Sequence, residues 1–412
     1  VWQGFQVVPS VRERSGGCRV CCSCVRGAML PALAGGVMGS AMVLSYAAQS
    51  AYYYRALPDY SHAGELAPQP KLRELDARRV PLGLSIARSI VVFLTTSLCK
   101  LLMNILNKVQ WVDDECYRFL QSSIRHRPAG VPLLTVSNHQ SSLDDPGLMS
   151  SLIPWDVIMT PSRVRWAIAT QDIVFPKKPF VQSFMTCGQV LPVHRGGGID
   201  HALLLDFARQ MAAGRWVHVF PEARVVQSGR LATDVLTKRS REDLEEKGKL
   251  KWGTGKLIAH SKVPPLVIPF YHLGMVGVLP QHNVWRKRDN GESYFHNNVV
   301  SWNPTWGNKV KVWVGEPIET QDLLDAYEAE HGALWKVSPE GVASEEEFGR
   351  LVERWRSSDE EKELYSAITR RVEEALEGLQ RRAKRDLEEE PDLGVKTSCA
   401  RSVEALKASR GD

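Results

Sequence analysis

Residues 135–148, TVSNHQSSLDDPGL, set an imidazole and a carboxylate five residues apart, at His139 and Asp144. An apolar strand ends at Ser137, and Asp145-Pro146 reads as a helix N-cap followed by proline at the first helical position. His139 therefore belongs to a strand-to-helix loop rather than to a packed face. A bend between the two residues would bring the Asp144 carboxylate to Nδ1 and leave Nε2 as an acceptor, which is how a neutral histidine becomes a general base for a hydroxyl. The same spacing also suits a structural histidine, so the motif gains meaning only from its companions later in the chain.

Three further motifs come after it in order: GQVLPVHRG at 188–196, a strand ending in Arg195 and Gly196; HVFPEAR at 218–224; and VIPFY at 267–271, continued by His272-Leu273-Gly274-Met275. Together with His-x4-Asp they resemble the glycerolipid acyltransferase superfamily. The double Asp of SNHQSSLDDP, then WVHVFPE, KWGTGKLIA at 251–259 and PLVIPFYHLGM at 265–275 resemble its tafazzin family of phospholipid-lysophospholipid transacylases. The likeness covers roughly residues 80–317, about half the chain.

The resemblance implies His139 as general base with Asp144 as its orienting partner, and Arg195, Gly196, Phe220, Pro221, Glu222, Arg224 and Pro269 around the substrates. Arg195 suits a lipid phosphate because a planar guanidinium binds two oxygens at once, although a surface ion pair would use it equally. Glu222 would hold a glycerol hydroxyl or Arg195, or sit in a buried ion pair. One position departs from the family pattern: Ala223 stands where Gly is usual. If that turn needs a positive φ, alanine costs on the order of 1 kcal/mol or reshapes the loop.

The implied reaction moves an acyl chain between a phospholipid and a lysophospholipid without CoA, metal or other cofactor, in the remodelling of cardiolipin at mitochondrial membranes. The motifs do not distinguish an ester donor from acyl-CoA, so a CoA-dependent lysophospholipid acyltransferase stays open, as does a membrane-bound lipid-binding protein with an inactive site. Other signals fail. Gly253-Thr254-Gly255-Lys256 lacks both the first Gly and the Ser or Thr of a phosphate-binding loop, and no Gly-x-Ser-x-Gly elbow is present. Cys18-x-x-Cys21 has no second pair to complete a zinc site, and His194, His218 and His272 read as structural. No interleaved aromatic and basic motif points to nucleic acid.

Elements must position these groups. Strands are expected at 133–137, 189–193, 216–220, 266–271 and 310–314, with a helix over HALLLDFARQMAAG between the second and third. Alternation of this kind predicts an α/β fold with a mixed central sheet flanked by helices. In front, Arg88 and Lys100 bracket only 11 uncharged residues, short of the roughly 20 needed to cross a bilayer. Residues 80–112 therefore read as a core helix or as an amphipathic, interfacial membrane segment whose Arg and Lys snorkel to headgroups. Residues 1–60, whose first 58 positions hold Glu13 as their only acid beside five arginines, read as an organellar leader or a marginal membrane helix. Starting at Val1, such a leader leaves room for further residues before it.

The acyltransferase domain is expected over 113–318, with 281–309 as a surface loop. A charged helical extension continues over 319–380, striped by Leu364, Ile368, Val372, Leu376 and Leu379, and a disordered tail over 381–412. At 412 residues, 43% apolar and 24% charged, with mean hydropathy −0.23, the chain is neither polytopic nor wholly disordered. Net charge divides into +14 over residues 1–318 and −9 over 319–412, and a basic body suits an anionic membrane surface. The sequence leaves the oligomeric state open.

Overall fold

The computed structural model describes residues 35–37, 39–47, 55–56, 66–67, 77–171, 175, 179–194, 197–227, 250–287, 293–299, 304–342 and 344–389. Most of the expected leader, Arg195 and Gly196, and the tail beyond 389 lie outside the described residues.

Apolar runs flanked by polar turns become strands buried on both faces, as a parallel sheet covered by helices requires. Apart from the two-residue antiparallel pair Arg55–Ala56 and Leu66–Ala67, the strands in chain order are β1 (Lys108–Trp111), β2 (Leu133–Ser137), β3 (Trp166–Thr170), β4 (Val190–Val193), β5 (Trp216–Val219), β6 (Leu266–Leu273), β7 (Gln281–Lys287), β8 (Ser293–Val299) and β9 (Lys309–Val314). Seven of them form one mixed sheet in the order β1-β9-β6-β2-β5-β3-β4. Strands β2 to β6 run parallel, and β9 pairs antiparallel to β6 and parallel to β1. The five expected strands are present. β1 and β3 are additional, because KVQW alternates weakly at an edge and WAIAT is too alanine-rich to stand out.

Residues 281–309 depart from the surface loop expected of them: β7 and β8 pair as an antiparallel hairpin, Gln281 opposite Val299 and Lys287 opposite Ser293. The Asn, Gly, His and charge content that reads as loop is compatible with a polar two-stranded ribbon, whose ladder is made by the backbone.

The helices are α1 (Leu82–Lys100), α2 (Glu115–His126), α3 (Met149–Leu152), α4 (Pro179–Cys187), α5 (Ala202–Ala212), α6 (Gly253–Ala259), α7 (Met275–Val278), α8 (Gln321–His331), α9 (Glu345–Arg354) and α10 (Asp359–Glu389). A wide turn, Leu101–Leu106, prolongs α1, and the run Leu82–Leu106 is long and apolar enough to cross a membrane by length and composition. Its two charges do not snorkel. Arg88 is buried with its guanidinium 5.0 Å from the Trp166 ring, and buried Lys100 donates to the Ser151 carbonyl, its ammonium 5.2 Å from the Trp155 ring. Burial lowers the Lys100 pKa to about 8. The opposite face of α1 exposes Leu82, Ile86, Ile90 and Phe93, spaced to share one helical stripe. Residues 39–47 are also helical, and Ala41 packs with Ala87, Val91, Phe184 and Cys187.

The expected stripe of α10 is buried, Leu364, Ile368, Val372, Leu376 and Leu379 joining the same core cluster as Val217, Val267 and Trp313 of the sheet. The helix runs to Glu389, past residue 381 where the sequence suggests a tail, because Ala383 is buried and Asp386 accepts a hydrogen bond from Trp313 Nε1 at 2.6 Å.

Candidate active site

Three adjacent central strands, β6, β2 and β5, end side by side and in parallel, and their C-terminal ends carry the chemistry, as open α/β sheets commonly arrange it. From β2 the chain turns through Asn138 and His139. From β5 it passes Phe220, Pro221 and Glu222, and β6 ends with His272 and Leu273.

His139 Nδ1 lies 2.9 Å from Asp144 Oδ2, the contact that the spacing predicts. A carboxylate has no hydrogen to give, so Nδ1 carries the proton and donates. Oδ2 also accepts the backbone N–H of Gln140 at 2.6 Å and of Ser141 at 2.9 Å, which fixes the carboxylate to the turn that it closes. Nε2 has no hydrogen-bond partner among the described residues, and the side chain is 18% exposed, so the acceptor nitrogen is available to a substrate. The ring stacks on Phe220, centroids 4.0 Å apart and planes within 14°.

Asp145 has extended backbone (φ −122°, ψ 119°), compatible with the expected start of a helical turn. Its carboxylate is held by Arg165, with Nε 3.0 and 3.2 Å from the two oxygens and Nη2 closer still, and both side chains are buried. The two aspartates thus divide the work: the first orients His139, and the second ties the loop to the residue preceding β3.

Glu222 is buried and its Oε1 accepts the backbone N–H of His139 at 2.8 Å. This role differs from those weighed for it on sequence grounds, because a side chain that binds a backbone amide leaves no mark in the spacing of residue types. Arg224 is half-buried near it; burial lowers its pKa while the Glu222 charge opposes. The Pro221 carbonyl accepts Lys251 N–H at 2.9 Å, anchoring the turn. Between them Ala223 adopts φ +52°, so the turn keeps the left-handed conformation that glycine favours. Pro269 lies within β6, buried opposite Val136, and its carbonyl accepts Gly315 N–H at 2.8 Å, which places it in the sheet beneath the loop.

Sequence reasoning passes over Asn138 and reads His272 only as structural. Asn138 Nδ2 donates to the His272 carbonyl and Oδ1 accepts the His272 N–H, both at 2.9 Å, clamping the β2 exit to β6. On the other side Val226 N–H donates to the His139 carbonyl at 2.6 Å and Gln227 Nε2 to the Gln140 carbonyl at 3.2 Å. His218 is fully buried, and burial holds its pKa well below the ordinary value. With Thr135 Oγ1 2.9 Å from Nδ1, it has the structural place that the sequence suggests.

Residues 120–272 match the acyltransferase family model. Over 320 residues the chain is 32% identical to N-acylphosphatidylethanolamine synthase of Arabidopsis thaliana, covering 76% of this chain and 99% of that protein. It is 33% identical to tafazzin of Drosophila melanogaster over 225 residues, 55% of this chain and 50% of that protein. The chain belongs to the tafazzin family of glycerolipid acyltransferases. A third family member, the protein named taffazin in Dictyostelium discoideum, is 32% identical over 153 residues, 36% of this chain and 47% of that one. The matched part thus spans about half the length of either of these two relatives. Membership makes the protein an acyltransferase acting on lipids, and the family motifs fall on the converging ends of β2, β5 and β6.

Proposed function

We propose that the protein moves a fatty acyl chain from a phospholipid to a lysophospholipid without CoA, with His139 as general base. The observation that carries this reading is the 2.9 Å contact of His139 Nδ1 with Asp144 Oδ2, which leaves Nε2 as an unengaged acceptor at the mouth of the sheet. Nε2 takes the proton of the lysophospholipid hydroxyl as its oxygen attacks the donor's ester carbonyl. The tetrahedral intermediate collapses, and the imidazolium returns that proton to the departing glycerol oxygen. Asp144 holds the imidazole in the productive tautomer and stabilises its charged form, and general base catalysis of this kind supplies about 10²- to 10⁴-fold in rate. One ester is exchanged for another, so the equilibrium constant lies near one. Glu222 fixes the backbone of the base and Phe220 its ring, while Arg224, and Arg195 with Gly196 in the family pattern, serve the headgroup phosphate.

The exposed Leu82, Ile86, Ile90 and Phe93 face of α1, together with exposed Trp155 and Met159, supports peripheral or monotopic seating on an anionic membrane. In this family's setting that membrane is mitochondrial and cardiolipin is a substrate. A second reading is favoured by the match to 99% of an N-acylphosphatidylethanolamine synthase: the same base would then serve an ethanolamine nitrogen, and the product would be an amide.

Liposomes holding a phospholipid with labelled acyl chains and a lysophospholipid, with and without acyl-CoA, test both readings against His139→Ala. Label is expected to pass between phospholipids without CoA in an alkali-labile ester, and the variant to lose at least 100-fold. Alkali-stable label on phosphatidylethanolamine would select the second reading, transfer only from acyl-CoA the CoA-dependent branch, and undiminished transfer by the variant would remove His139 from the mechanism.

A further inference from the structure

Behind the dyad stands a second, fully buried imidazole. His272 Nε2 lies 3.0 Å from the Asn138 carbonyl oxygen and 3.5 Å from Asp144 Oδ2. Neither a carbonyl nor a carboxylate can donate, so Nε2 must carry the ring proton; it donates to the Asn138 carbonyl and faces the Asp144 carboxylate. Nδ1 is then a bare lone pair, buried and without a hydrogen-bond partner among the described residues; Asp144 Oδ1 is in the same state. Buried polar atoms are seldom left this way, and when they are the arrangement commonly serves something beyond packing.

We propose that His272 is a positioning residue for acyl transfer, whose Nε2–H sets both the backbone leading into His139 and the charge of the Asp144 carboxylate that orients it. The proposal rests on the acyl-transfer reading only for its rate measurements. The peptide before His139 is bonded to His272 three times, through the two side-chain bonds of Asn138 and through the ring, so the direction in which His139 leaves β2 is fixed from β6. The same N–H lies 3.5 Å from the oxygen that receives His139 Nδ1–H, close enough for its dipole to act on the carboxylate charge without a hydrogen bond to it.

The ring stays neutral in that place. Burial lowers its pKa and His139 adds to the effect, while Asp144 and the Asn138 carbonyl oppose it. The other titratable group felt there is His218 on β5, itself held neutral by burial, and β9 presents only Val312 opposite. A neutral His272 adds no second positive charge when His139 becomes imidazolium.

The test compares His272→Leu with His272→Gln, whose amide can donate from about the same place, in the liposome transfer assay across pH 5–9. His272→Leu is expected to lower kcat 10- to 100-fold, the scale of lost outer-shell support, with KM for either lipid within twofold. The acid limb of its pH–rate profile is expected at higher pH, because a carboxylate that no longer faces the His272 N–H dipole holds the imidazolium more tightly. His272→Gln is expected to restore most of kcat and the original limb. Unchanged kcat in the Leu variant, or a loss that appears in KM alone and is not restored by Gln, would overturn the proposal. Nitrogen-15 NMR of the unsubstituted, histidine-labelled protein needs neither folding of a variant nor turnover. It is expected to show His272 as the neutral Nε2–H tautomer at pH 7 and above, with any titration below the ordinary histidine range, and an Nδ1–H tautomer or titration at or above pH 6.5 would overturn the assignment.

Discussion

At the scale of single residues the turn after β5 is held by contacts rather than by preference. Ala223 sits at φ +52°, where an L-residue other than glycine costs about 1–2 kcal/mol. The turn is kept because Glu222 accepts the His139 N–H, the Pro221 carbonyl accepts Lys251 N–H, and Ala223 N–H itself returns to the Phe220 carbonyl at 3.0 Å. Ala223→Gly removes the strain and adds back some unfolded-chain entropy, so a net stabilisation of up to about 1 kcal/mol is expected. It would be read as a higher urea midpoint at unchanged slope; a lower midpoint would show that the left-handed turn is not strained here.

At the scale of elements the KWGTGK stretch, which fails as a phosphate-binding loop, has a packing role at the seam between α6 and α10. A Cβ on Gly255 would lie 2.2 Å from the Tyr365 carbonyl oxygen, so only glycine lets the two helices approach this closely. Lys256 is fully buried there. Its ammonium donates to Asp200, to the Trp355 carbonyl and, at 2.9 Å, to Ser357 Oγ, and lies 4.1 Å from the centre of the Trp355 ring. One lysine therefore ties α6, the segment before α5 and the entry to α10. Gly255→Ala improves helix propensity by about 1 kcal/mol but must push backbone aside, which costs about 1–3 kcal/mol or more. A clear net loss of stability is expected in urea unfolding, and an unchanged or raised midpoint would show that α10 yields.

At the scale of the whole molecule the C-terminal helices share one core with the sheet, and a buried histidine makes that union sensitive to acid. His260 Nδ1 donates to the Trp335 carbonyl at 2.7 Å, and Nε2 lies 2.5 Å from the Tyr365 hydroxyl, which also faces Glu361 Oε2 at 3.2 Å; these contacts join α6, the chain after α8 and α10. Burial lowers its pKa to about 4, against an ordinary value near 6.5. Between these values the unfolded chain binds the extra proton, so stability rises with pH there. The contribution, on the order of 3 kcal/mol, is fully present above pH 6.5 and is lost as pH falls towards 4. Urea midpoints are expected to fall from pH 7 to pH 5, less steeply in His260→Gln; identical slopes would show that His260 is already charged in the fold.

Much of this was legible locally. The five expected strands and the α10 stripe come from apolar runs and helical spacing, and the His139–Asp144 pair from two residues five apart that one turn can bring together. The resemblance carried the family. What the chain order could not express is contact across the sheet: Asn138 and His272 lie 134 positions apart and meet because β2 and β6 are neighbours, and Glu222 reaches the His139 amide because β5 flanks β2 on the other side. The burial of Arg88 and Lys100, which composition reads as surface, was decided likewise by which helix face the sheet and loops happened to cover. Local pattern fixes which segments pair with water or with core, whereas the identity of a neighbour is set by strand order, and strand order exists only once the chain has folded.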